Sequence, residues 1–136
     1  MKKLILLSIT LLMMSACTTV EEPELRMKII DLTVKSTDWK AQVDNNGQNL
    51  YYSASFTMPE ITSYIFQNGD VRCNLLAAGA QSPLPSVRHY QNLSGNSWTR
   101  TIDYDYTAGD LKIYVTNSDF YPEIPETMNF RVVLTW

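Results

Sequence analysis

From residue 26 onward, apolar and polar side chains alternate along the chain, the period-two pattern of half-buried strands. Leu50, Tyr52, Ala54, Phe56 and Met58 alternate with Tyr51, Ser53, Ser55 and Thr57. Trp98, Ile102, Tyr104 and Tyr106 share one parity, with Thr99, Thr101, Asp103, Asp105 and Thr107 on the other. Met128, Phe130, Val132, Leu134 and Trp136 alternate with Asn129, Arg131, Val133 and Thr135. Shorter runs at 28–34, 39–43, 71–78, 87–93 and 111–116 are further strand candidates. Each strand has one apolar and one wet face, as antiparallel sheets do.

Turn chemistry separates these runs. Asn45-Asn46-Gly47, Ser94-Gly95-Asn96 and Ala108-Gly109-Asp110 place Gly or Asn where a hairpin needs positive φ. Seven or eight short strands at such spacing predict an all-β fold, an antiparallel β-sandwich of the immunoglobulin-like kind, with a closed β-barrel as the alternative. Residues 59–69 are the exception. Pro59 suits the first helical position, Glu60 the first turn and Gly69 the position just past the end. Ile61, Tyr64 and Ile65 fall on one stripe, so one short helix is expected to plug an end of the sandwich.

The first residues follow another rule. Lys2 and Lys3 precede an apolar run from Leu4 to Met14, the length of a signal-peptide core and well short of the about 20 apolar residues that span a bilayer. Ser15 and Ala16 then supply small side chains before Cys17, which resembles the lipobox of bacterial lipoproteins, with Met14 where Leu is usual. Cleavage after Ala16 and lipid attachment at Cys17 are expected; the other reading is an ordinary cleaved signal that leaves Cys17 a free thiol. The chain thus divides into a leader at 1–16, a lipidated stem at 17–25 and one domain at 26–136. Two or three acyl chains anchor stably where one is marginal, so the expected location is the bacterial cell envelope, on the outer membrane, with the domain on the periplasmic or the surface side. The stem's Glu21, Glu22 and Glu24 fit either a solvated spacer or the acidic export signal of surface lipoproteins in Bacteroides-type bacteria.

A length of 136 residues suits a single domain, and a net charge of −3 offers no basic field for nucleic acid. Much of that acidity belongs to the stem. One His and two Cys leave too few ligands for a structural zinc site of the Cys/His type, and no cofactor is expected.

Three strings, at 83–90 (PLPSVRHY), 98–106 (WTRTIDYDY) and 128–136 (MNFRVVLTW), resemble a family of short lipoproteins of unknown function in Bacteroides-type bacteria. Some members carry collagen-like repeats between the lipidated Cys and the domain, which this chain lacks. The resemblance implies location and fold, and no catalytic residue.

Four groups carry candidate chemistry. His89 is the single imidazole, without a Gly-x-Ser-x-Gly elbow for it to serve, and a hydrogen-bonded structural role is the bland alternative. Asp103 and Asp105 project from one strand face with Asp110 past the next turn; they are weak candidates for a Ca²⁺ site or a carboxylate pair, against a solvated face that opposes aggregation. Cys73, between Val71 and Leu75 in parity, is expected to be a buried small hydrophobe. The aromatic residues, three Trp, eight Tyr and four Phe, are mostly core. Tyr51 and Tyr114 fall on the polar parity and Tyr90 lies beside Arg88, so Tyr51, Arg88, Tyr90 and Tyr114 form the candidate binding face for a protein or glycan ligand. The function expected is that of a non-enzymatic binding or structural module tethered to the membrane by its lipid. The alternative is a hydrolase of surface glycans or peptides working through Asp103, Asp105 and His89.

Overall fold

The computed structural model describes residues 24–136; the leader, Ala16, Cys17 and the stem as far as Pro23 lie outside the described residues. Among the described residues, nine strands form two antiparallel sheets. In chain order they are β1 (Met27–Val34), β2 (Lys40–Val43), β3 (Leu50–Met58), β4 (Asp70–Ala77), β5 (Ala80–Pro83), β6 (Ser86–Gln91), β7 (Ser97–Thr107), β8 (Gly109–Asn117) and β9 (Met128–Thr135). A four-stranded sheet runs β1-β9-β4-β5 and a five-stranded sheet runs β2-β3-β8-β7-β6. β5 and β6 remain separate edges, so the arrangement is a sandwich and the barrel alternative does not form. The sandwich has its own strand order, with the first strand beside the last.

The expected alternations produce the core. Phe130, Val132 and Leu134 of β9 meet Leu111, Ile113 and Val115 of β8, all at most 1% exposed. Full burial of such side chains stabilises by about 1.5–3 kcal/mol each. Trp39 closes one end of the core, where its Nε1 donates to the Glu126 carbonyl at 3.1 Å. Tyr104 crosses between the sheets, its hydroxyl donating to the Val71 carbonyl at 2.8 Å.

The ninth strand is β5, absent from the sequence pattern because Ala80-Gln81-Ser82-Pro83 has no apolar alternation. It exists because the backbone turns back on β4 through Ala78 and Gly79, with φ of 50° and 75°. Positive φ at both central residues is the signature of the type I′ hairpin, whose twist matches the flanking strands.

The helix is shorter than expected. It is α1 (Ser63–Asn68), not a helix from Pro59. Thr62 caps it, its Oγ1 accepting from the Ile65 amide at 3.2 Å, while Pro59 and Glu60 form a turn closed by Ile61 N–H to the Met58 carbonyl at 2.9 Å. A side-chain oxygen at the cap satisfies one of the first-turn amides that have no partner within the helix. Ile61 and Ile65 are the plug, buried in the core, whereas Tyr64 is 62% exposed and leaves the expected stripe. The turn between β7 and β8 locks onto this plug, as Gly109 N–H donates to the Ile61 carbonyl at 2.8 Å.

Candidate functional site

The five-stranded sheet outreaches its partner. β5 is four residues long, so the inner face of β6 is left uncovered and a cleft of about 550 Å³ opens between the two edges. That volume lies within the about 300–1,000 Å³ of small-ligand sites. Leu75, Leu76, Ala77, Ala78 and Ala80 line one wall, with Met128 and Asn129 at the start of β9. Ser86, Arg88 and Tyr90 of β6 and Arg100 and Ile102 of β7 line the other, and Glu126 and Thr127 close the end.

Register explains which β6 side chains turn inward. Arg88 lies opposite Arg100 and Tyr90 opposite Trp98, and directly opposed residues of an antiparallel pair share a face. Arg100 belongs to the inward series of β7 and is only 8% exposed. Its Nε donates to Asn117 Oδ1 at 3.0 Å, and its Nη1 to the Glu126 carboxylate at 3.1 and 3.3 Å. Glu123 lies 3.9 Å from Nη2. A guanidinium taken this far from water must find such partners, since an unpaired buried charge is costly. Its carbon also sits 5.4 Å from the centre of the Tyr90 ring, which stacks on Trp98 at 5.7 Å and 15°. Tyr90 is thereby fixed while 38% of its surface stays exposed.

The four expected binding residues divide into two pairs on opposite faces of one sheet. Arg88 and Tyr90 line the cleft, whereas Tyr51 and Tyr114 lie on the outer face, 6.1 Å apart and tilted at 53°. There the Tyr114 hydroxyl donates to Asp105 Oδ2 at 2.6 Å, and Lys112 Nζ stands 5.1 Å over the Tyr114 ring. Burial, and then the bond to Asp105, pushes the Tyr114 phenol above its ordinary range.

Asp103 and Asp105 do share that outer face, opposite Tyr114 and Lys112. No group of three or more His, Cys, Asp or Glu with metal-ligating geometry occurs among the described residues. His89 also faces outward, its Nδ1 paired with Thr99 Oγ1 at 2.9 Å. Thr99 is four positions from Asp103 on β7, roughly 13 Å at strand rise. The three groups are therefore spread along the sheet and do not converge.

Burial first, and then the charge of Asp105, pushes the Asp103 carboxyl above its ordinary 3.8. The folded protein thus holds this proton more tightly than the unfolded chain, and stability falls as pH rises from 3.8 through the folded value. Asp103→Asn is expected to raise Tm at neutral pH and to change nothing below pH 3.8, as thermal melts across pH would show.

Cys73 is 1% exposed in the core, where burial pushes its thiol up to about 12. It is the small hydrophobe its parity predicts, and it lines no part of the cleft.

Sequence reasoning missed Arg100 and Glu126. Arg100 had a readable signal, a charge on the apolar parity between Trp98 and Ile102. Glu126 lies in an irregular segment after β8, where no periodicity could have placed it. The chain matches no protein-family model, no curated protein and no solved structure.

Proposed function

We propose that this protein is a lipid-anchored module of the bacterial cell envelope, held on the outer membrane through Cys17, that binds a protein or glycan ligand without catalysing a reaction. The observation that carries the reading is the cleft between β5 and β6, of ligand size, with Tyr90, held by its stack on Trp98, and two guanidinium groups in its wall. Its position fits a tether. Met27, next to the expected stem, pairs with Thr135 at one end of β9, while Met128 and Asn129 line the cleft at the other. Seven residue steps of strand separate those ends, roughly 23 Å, so the cleft lies at the end of β9 far from Met27. The hydrolase alternative gains no support from the placement of Asp103, Asp105 and His89 on an open outer face.

The test is capture from detergent-solubilised envelope by the full-length protein. Wild type is expected to retain a component that Tyr90→Ala loses, while Asp103→Ala combined with Asp105→Ala retains it. Cleavage of envelope glycan or peptide by wild type, abolished in the double Asp variant, would overturn the reading. Cys17→Ser is expected to abolish acyl labelling and release the protein from membranes. A membrane-bound, acyl-labelled Cys17→Ser protein would remove the anchor from the proposal.

A further inference from the structure

The two walls of the cleft differ in chemistry, and the difference specifies an occupant. The wall built by β4, the hairpin and β9 is mostly apolar, lined by Leu75, Ala77, Ala80 and Met128 beside Asn129. The β6 wall carries charge. Arg88 stands directly opposite Arg100, and like charges so placed repel. Glu126 and Glu123 offset Arg100. No carboxylate offsets Arg88 among the described residues; its side-chain bond is from Nη2 to Ser82 Oγ at 3.3 Å. That bond lays the guanidinium across the mouth, from one edge strand to the other, with four of its five N–H donors unspent. An anion is what this mouth lacks.

The backbone adds a third constraint. β5 ends its sheet, pairs with β4 alone among the described residues and borders the cleft through Ala80. The far edge of this strand offers the amide and carbonyl of Gln81 and the carbonyl of Pro83, which has no N–H, and a short extended segment can join such groups. An occupant meeting all three conditions has extended backbone, an apolar side chain and a carboxylate beside it. We propose, building on the binding role above, that the cleft receives the C-terminus of an extended peptide. Its terminal carboxylate lies on Arg88, its last apolar side chain against Leu75, Ala77 and Met128, and its backbone along β5. A planar guanidinium suits this task because it grips a carboxylate through two parallel hydrogen bonds.

The experiment uses the full-length protein in detergent and fluorescein-labelled short peptides, randomised upstream of a final leucine, as free acids and as C-terminal amides. Anisotropy titration should show the acids binding and the amides weaker by roughly 10-fold or more, the usual scale for a hydrogen bond to a charged group. Arg88→Ala should bring the acids down to the level of the amides, and Arg88→Lys should fall between. Arg88 is exposed, so neither change threatens the fold. Ala80→Trp, also at an exposed position, should block both peptides by filling the cleft. Equal binding of acid and amide, or acid binding indifferent to Arg88→Ala, overturns the C-terminus proposal. If Ala80→Trp then still abolishes binding, the cleft remains a binding site and only the assigned ligand class falls. If no peptide binds while an envelope component is still captured through the cleft, the proposal falls and the binding role stands. Absence of both removes both.

Discussion

Arg100→Ala is expected to destabilise the protein by about 2–3 kcal/mol, between the costs of an unsatisfied buried polar group and of a broken buried ion pair. Arg100 bonds Asn117, itself 7% exposed, and Glu126. Truncation strands the Asn117 side-chain Oδ1 in the core and leaves a void in the wall of the cleft. The loss stays below that of a fully buried pair because the two partners are unequally buried. The Arg100 side chain is 9% exposed and that of Glu126 is 65% exposed, so Glu126 returns to water at little cost. Urea unfolding reads the effect as a lower midpoint with an unchanged slope. Arg100→Lys keeps the charge and loses the forked donors, and should recover only part of the stability. A loss below about 0.5 kcal/mol, the range of ordinary surface changes, would mean that this guanidinium does not organise the cleft. Because Tyr90 stacks on Trp98 and lies beside Arg100, the same variant should also alter tryptophan emission.

Gly69→Ala is the second large effect, at about 2–3 kcal/mol. A methyl group at Gly69 would lie 2.7 Å from the Thr135 carbonyl oxygen and 2.9 Å from that of Ile65. Both contacts are backbone, so neither can rotate away, and relief requires moving the end of α1 off β9. Overpacking of this kind costs about 1–3 kcal/mol, toward the upper end where main chain must shift. In a domain of this size that corresponds to a Tm lower by about 10 °C. Thermal melts of Gly69→Ala beside Gly47→Ala separate the causes, since nothing lies within 4 Å of a methyl at Gly47 and only its φ of 69° is strained. Equal losses in the two variants would show that space at Gly69 is not the constraint.

Gly69 also shows where sequence reading reached the right residue for the wrong reason. A glycine after a helical stretch suggests a left-handed cap, yet its φ is −99°, and the residue is needed because two carbonyls crowd it. The long strands were legible because one buried face enforces alternation over many residues. β5 was not legible, since a strand of four residues at an edge has little to bury and owes its existence to the Ala78-Gly79 turn. Residues 87–93 read as a strand, but which face of β6 turns inward was not legible, for a related reason. With nothing packed over its inner face, Arg88 and Tyr90 can turn inward while Val87, 57% exposed, turns outward. Half of the candidate binding set was therefore legible as chemistry and not as geometry. Side-chain type pointed to Tyr51, Arg88, Tyr90 and Tyr114, but only the register of β6 on β7 decides that two of them share a cleft and two do not.

The pairing of β1 with β9 also sets an order of events. β1 ends its sheet and, among the described residues, pairs as a strand with β9 alone, with the Arg131–Asp31 ion pair joining residues 100 positions apart. A ribosome releases β1 about 100 residues before β9, so β1 waits unpaired while the seven strands between them are made. Contacts of such long sequence separation also form slowly, because the loop they close must be ordered before they reward it. The four-stranded sheet therefore closes only once β9 has emerged.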